Sequence, residues 1–256
     1  TLRDADLVTL QLFDCGQGYP RPPTGPYLFP SLRSLHIYTG YHGPVQPSSR
    51  RLAVVNLREL LQSLIPSVTG LRDLRLVIRP PTAQAVYFTD AVGGLLEAAK
   101  DTLHSLTLAY LRVYGPRIPN TLRKFLQLQS YSEISCDCGT WGNHLPLDSL
   151  PDSVTSYTIH HSQLASGFPA TADLCTKIGR TLAFEPAVLP NLVRVTGVIL
   201  DTSTILATDD TDRAHLALFD SPGLLRRLLA ARPNIRSLPQ VQQSPCPYPV
   251  LSRWEP

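Results

Sequence analysis

The stretch Leu71-Arg72-Asp73-Leu74-Arg75-Leu76 decides how this chain is read, because its spacing recurs. Leu32-Arg33-Ser34-Leu35-His36-Ile37 repeats it, and so does Leu103-His104-Ser105-Leu106-Thr107-Leu108. Alternate side chains along an extended backbone share a face, so each run reads as a short strand with a leucine side and a polar side. The polar side is then Arg33, Ser34, His36 in one run, Arg72, Asp73, Arg75 in the next and His104, Ser105, Thr107 in the third.

Weaker copies extend the series in both directions. Leu7-Val8-Thr9-Leu10-Gln11-Leu12-Phe13-Asp14-Cys15 precedes it, with Cys15 as a turn residue after the strand. Downstream, Leu122-Arg123-Lys124-Phe125-Leu126-Gln127-Leu128 reads as a degraded fifth copy and Val154-Thr155-Ser156-Tyr157-Thr158-Ile159 as a sixth. Leu192-Val193-Arg194-Val195 is a seventh, and Ile235-Arg236-Ser237-Leu238 a last, shortened strand. Helical spacing fills several intervals: Arg51 to Ile65, stopped by Pro66; a helix capped by Thr89 or Asp90 and running to about Lys100; Asp173 to Phe184; Arg213 to Phe219; and Leu224 to Ala231. Strand runs alternating with helices point to an α/β fold of the leucine-rich-repeat kind: a solenoid of short parallel strands with helices between them. First positions at 7, 32, 71, 103, 122, 154, 192 and 235 give gaps of 25, 39, 32, 19, 32, 38 and 43, so the repeat length is irregular. The expected division is a solenoid over residues 1–238 and a proline-rich tail over 239–256.

The phrases Phe29-Pro30-Ser31-Leu32, Leu189-Pro190-Asn191-Leu192 and Arg232-Pro233-Asn234-Ile235 resemble the openings of irregular repeats in fungal F-box-type proteins. The resemblance implies a non-enzymatic scaffold that reads substrates for a cullin-type ubiquitin ligase. No counterpart of the helical F-box stands before Leu7. Methionine is absent throughout, position 1 included, so a start inside a longer reading frame is expected.

Composition narrows the alternatives. Hydrophobic residues at 43% supply a core, while the formal charge of +3, spread over scattered basic residues, argues against nucleic acid. No run of 18 apolar residues occurs, so no membrane span is expected. Five irregularly placed cysteines fit a reducing, intracellular compartment, cytoplasmic or nuclear. A monomer without cofactor follows as the simplest expectation.

Chemistry-bearing motifs are few. Cys136-Asp137-Cys138 with His144 is the one cluster with a metal-like look, but C-x-C is tighter than usual zinc spacing and lacks a second pair. A small metal-dependent or hydrolytic enzyme built on Cys136, Cys138 and His144 is the alternative function; a degenerate repeat fragment without a role is another. His160-His161 have no neighbouring nucleophile, and Asp209-Asp210-Thr211-Asp212 lacks the spaced ligands of a calcium loop. The P-loop, G-x-S-x-G and G-x-G-x-x-G patterns are all missing. No catalytic, cofactor or metal residue is therefore assigned. The partner-binding set is drawn from the polar side of the strands: Arg33, His36, Arg72, Asp73, Arg75, His104, Thr107, Thr155 and Thr158. The partner is another protein, substrate or adaptor, since repeat arrays present extended surfaces to proteins.

Overall fold

The computed structural model describes residues 6–14, 26–39, 47–78, 86–109, 122–136, 147–162, 178–201, 222–235 and 240–245. Eight strands follow one another in the chain and in space: β1 (Thr9–Asp14), β2 (Ser34–Thr39), β3 (Asp73–Ile78), β4 (Ser105–Ala109), β5 (Ser130–Cys136), β6 (Ser156–Ser162), β7 (Arg194–Asp201) and β8 (Gln240–Pro245). Every neighbouring pair is parallel, and the sheet is open. Between strands lie α1 (Pro47–Leu64), α2 (Val86–Ala99), the helical residues 178–184 (α3) and α4 (Pro222–Ala231). The fold is α/β, with a parallel sheet alternating with helices. Among the described residues no helix is long and apolar enough to cross a membrane.

Like residues stack on like. Leu10, Leu35, Leu74, Leu106, Tyr131, Tyr157 and Val195 stand side by side in one row, and Leu12, Ile37, Leu76, Leu108 and Glu133 begin the next. These rows form one cluster with Leu57, Leu61 and Leu64 of α1 and Val92, Leu95, Leu96 and Ala99 of α2. A parallel sheet needs its crossover helices on a buried face, and the leucine side supplies it. Gly94 serves this packing: a Cβ there would sit 3.2 Å from Ile65 Cδ1, in the 3₁₀ turn Ile65–Ser67 that follows α1.

The repeat has a backbone signature that leucine spacing only hints at. Each first apolar position closes a turn: the Leu32, Leu71, Val154 and Leu192 amides donate to the carbonyls of Phe29, Val68, Pro151 and Leu189. The next residue's carbonyl then accepts two amides from the following repeat. The Arg33 carbonyl takes Arg72 and Asp73, the Arg72 carbonyl takes His104 and Ser105, the His104 carbonyl takes Gln129 and Ser130, and the Gln129 carbonyl takes Thr155 and Ser156. Side chains reinforce the stitching: Thr102 Oγ1 donates to the Leu71 carbonyl at 2.8 Å, Ser153 Oγ to Phe125 at 3.1 Å and Asn191 Nδ2 to Asp152 at 2.9 Å.

This signature corrects the fifth repeat. It begins at Leu128, with β5 running from Ser130, while Leu122 and Phe125 are buried in the turn before it. The first positions 103, 128 and 154 are then 25 and 26 apart, closer to an even repeat than the sequence reading allows. The strand went unread because Tyr131 and Glu133 occupy its two leucine sites. Glu133, buried at 1% exposure in an otherwise aliphatic row, accepts the Tyr157 hydroxyl at 3.3 Å, and Tyr131 stacks on Tyr157 at 6.0 Å. Burying a carboxyl is tolerable only with such partners.

One helix boundary and one strand boundary also move. α2 begins at Val86, which puts Thr89 and Asp90 inside it rather than at its cap. The last strand is Gln240–Pro245, so the sheet continues past residue 238 into the segment expected as tail. Ile235 is buried ahead of it in a turn, and residues 236–239 lie outside the described set, as do Cys15 and Arg213 to Phe219.

α4 is tied back by Arg232, which follows it. The guanidinium is buried at 5% exposure and donates to the carbonyls of Leu182 (2.7 Å), Leu189 (2.7 Å), Glu185 (3.0 Å) and Val188. These carbonyls close α3 and the loop after it, where Leu189 holds a left-handed φ of 53°. A cation at a helix C-terminus satisfies orphan acceptors and the negative end of the dipole together.

Candidate functional site

Opposite the leucines, the same alternation raises a polar face. β2 offers Ser34, His36 and Tyr38; β3 offers Asp73 and Arg75; β4 offers Ser105 and Thr107. Register puts Ser34 beside Asp73 beside Ser105, and His36 beside Arg75 beside Thr107.

Asp73 is the hub. Its Oδ2 receives His36 Nε2 at 2.7 Å and Ser34 Oγ at 3.0 Å, and Arg75 Nε stands 3.5 Å away. Ser105 on the next strand adds a further side-chain hydrogen bond. Partial burial pushes the Asp73 carboxyl up, but the His36 hydrogen bond, the Arg75 charge and the Ser105 and Ser34 hydroxyls outweigh it and hold it below the usual carboxylate range. Arg75 also reaches Tyr38, whose hydroxyl is pushed up mainly by burial, with Arg75 pulling the other way. The His36 and Tyr38 rings meet edge to face at 6.2 Å.

Serine, histidine and aspartate in contact invite a nucleophilic reading, which the geometry disfavours. A relay needs the two ring nitrogens to serve different partners, one the hydroxyl and one the carboxylate. Here a single nitrogen, His36 Nε2, meets both Ser34 (2.9 Å) and Asp73, and Ser34 donates its own proton to Asp73. The three close a triangle around one carboxylate oxygen. The arrangement holds side chains still and leaves no base for the serine.

From β4 to β7 the face changes character. Ser105, Ser130 and Ser156 continue the Asp73 row, and Thr107, Ser132, Thr158 and Thr196 continue the Arg75 row, a field of hydroxyls with Arg194 at its far end.

The nine residues expected to bind a partner thus separate into two sets. His36, Asp73, Arg75, Thr107 and Thr158 stand on the polar face of the strands, with His36 and Thr107 themselves buried. Arg33, Arg72, His104 and Thr155 stand one residue before the strands, along the N-terminal rim of the sheet. Some rim residues have structural duties: Arg33 Nη1 donates to the carbonyls of Leu32 (3.1 Å) and Gly70 (3.3 Å), His104 Nδ1 to Thr102 (2.7 Å), and Thr155 Oγ1 to Gln129 (3.2 Å). Arg33 also lies in the space a side chain at Gly70 would fill, 2.4 Å from where its Cβ would be. Tyr38, Ser130 and Ser132 join the face although no expectation named them. Tyr38 was readable from alternation with His36, whereas the two serines were hidden by the misphased fifth repeat.

Of the alternative cluster, Cys138 and His144 lie outside the described residues, and Cys136 ends β5 in register with Ser162. His160 and His161 pair in register with Val198 and Ile199. Among the described residues no three histidine, cysteine or acidic side chains gather as a metal site. No family model, no curated protein and no solved structure matches the chain, so the functional reading rests on the geometry of this face.

Proposed function

We propose that the chain is a leucine-rich-repeat-like solenoid that binds another protein through its polar strand face. Its specific role on this reading is to recognise substrates for an F-box-type ubiquitin ligase, working as a monomer in the cytoplasm or nucleus. The observation that carries the binding reading is the Asp73 hub. His36, Ser34, Ser105 and Arg75, drawn from three strands, are fixed around one carboxylate on the face away from the core. Such a cluster adds nothing to the hydrophobic interior, and side chains held in place beforehand lose little entropy on binding. The hydroxyl field beside it offers donors and acceptors without large exposed apolar area, as a protein-binding surface outside its hot spots does.

The ligase role draws only on the repeat openings that resemble fungal F-box-type proteins. It is tested by expressing the open reading frame that encodes this chain with the ligase's adaptor and cullin. Co-purification of a stoichiometric complex is the expected result. A reading frame without a helical F-box, together with no adaptor captured, removes the ligase role.

A further inference from the structure

The corner of the sheet formed by β2, β3 and β4 gathers arginines and histidines, with the charge carried by the arginines. Arg33, Arg72 and His104 occupy the same rim position on three successive strands, and the double amide-to-carbonyl ladder links them directly. Neighbouring strands are about 4.8 Å apart, so the three sit within roughly one Debye length at physiological salt. His36 and Arg75 stand on the polar face of the same strands, a few residues further along.

The acid among them, Asp73, is paired with Arg75 rather than with Arg33 or Arg72. Asp73 spends its carboxylate inward, on His36, Ser34, Ser105 and Arg75, and its side chain is 25% exposed. Arg75, by contrast, keeps 41% of its side chain exposed, and Arg33 and Arg72 are exposed. Asp101, in the turn before β4, is the nearest acid in sequence to His104, and it lies beside Lys100. Among the described residues, the hydroxyl rows of β4 to β6 carry no Arg, Lys, Asp or Glu before Arg194 on β7.

The geometry points to a partner segment rich in aspartate and glutamate, docked over the Arg72–Arg75 corner with its uncharged residues continuing across the hydroxyls of β4 to β6. This rests on the reading of the polar face as a protein-binding surface and names the partner's chemistry. An arginine guanidinium accommodates a carboxylate with two parallel hydrogen bonds, which suits the outward edge of Arg75. The narrow width of the basic corner, three strands of eight, suits a short acidic stretch better than a nucleic acid backbone, which needs phosphate contacts over a longer track.

The test is fluorescence anisotropy of the whole chain with three probes: a labelled peptide of alternating glutamate and serine, the same peptide with lysine for glutamate, and a single-stranded oligonucleotide of similar length. The glutamate peptide is expected to bind, and to weaken about tenfold or more between roughly 50 and 300 mM salt. Arg72→Gln, at an exposed site, and Arg75→Gln are each expected to weaken it several-fold. Arg180→Gln removes the same charge from an exposed position on α3 and is expected to leave binding unchanged, which separates the corner from net charge. Circular dichroism of each variant checks that it folds. Glutamate-peptide binding no tighter than lysine-peptide binding, indifference to both Arg72→Gln and Arg75→Gln, or tighter binding of the oligonucleotide each overturns the proposal. Adaptor capture is read separately, so loss of the acidic-segment proposal leaves the ligase role to stand or fall on its own result.

Discussion

His36 on β2 and Asp73 on β3 are 37 residues apart in sequence and 2.7 Å apart in space, joined from ring nitrogen to carboxylate oxygen. Adjacent strands are locked together on the face opposite Leu35 and Leu74. The pair makes the link between adjacent repeats partly electrostatic, which exposes it to pH.

Asp73 has a folded-state pKa below its ordinary value. Its contribution to stability is therefore fully present above the unfolded value, near pH 4, and is lost as pH falls through the folded value. Thermal melts from about pH 6 downward are expected to show a steeper fall in Tm below about pH 4 than Asp73→Asn shows. Parallel curves for the two proteins would mean the hub is not contributing.

Arg232 satisfies the carbonyls that end α3. Arg232→Met keeps much of the volume but strands those acceptors in a buried site, at a cost of about 3 kcal/mol or more. Chemical denaturation measures the loss. Arg232→Lys, a single ammonium in place of a fork, is expected to recover only part of it.

Leu106 and Leu126 are both leucines near the centre of the chain, with exposures of 0% and 78%. Leu106→Ala is expected to cost about 2–5 kcal/mol, since it opens a cavity in the row between Leu74 and Tyr131. Leu126→Ala should change stability by no more than about 0.5 kcal/mol. Equal effects would contradict the phase of the repeat.

Gly94 gives a pair of opposite expectations. In Gly94→Ala the new methyl meets only the far end of the Ile65 side chain, which can move by a few tenths of an ångström. The gain in helix propensity then makes the change neutral or stabilising by up to about 1 kcal/mol. Gly94→Val branches into the same contact and is expected to destabilise. Urea titration of both variants reads the sign.

The L-x-x-L-x-L spacing at Leu32, Leu71 and Leu103 was enough to anticipate parallel strands alternating with helices, because alternation along an extended backbone is a property of neighbouring residues. The sides were legible for the same reason: Leu74 and Leu76 are buried in the core, and Asp73 and Arg75 lie on the polar face. Boundaries were harder wherever local sequence admits two readings. Leucine and phenylalanine at 122, 125, 126 and 128 fit more than one phase, and the choice of Leu128 depended on which amides could reach the His104 carbonyl. β8 was unreadable because Gln240-Val241-Gln242-Gln243 becomes a strand by pairing with β7.

Periodicity thus determined the fold class and which side chains share a face. Only the tertiary structure decided what those side chains do there. It made Asp73 a hub, committed Arg33 and His104 partly to backbone carbonyls, drew Arg75 toward Asp73 with part of its side chain still exposed, and left Arg72 exposed. The physical reason is range: alternation is set over two residues, whereas these contacts are set by strand register, which joins positions more than 30 residues apart.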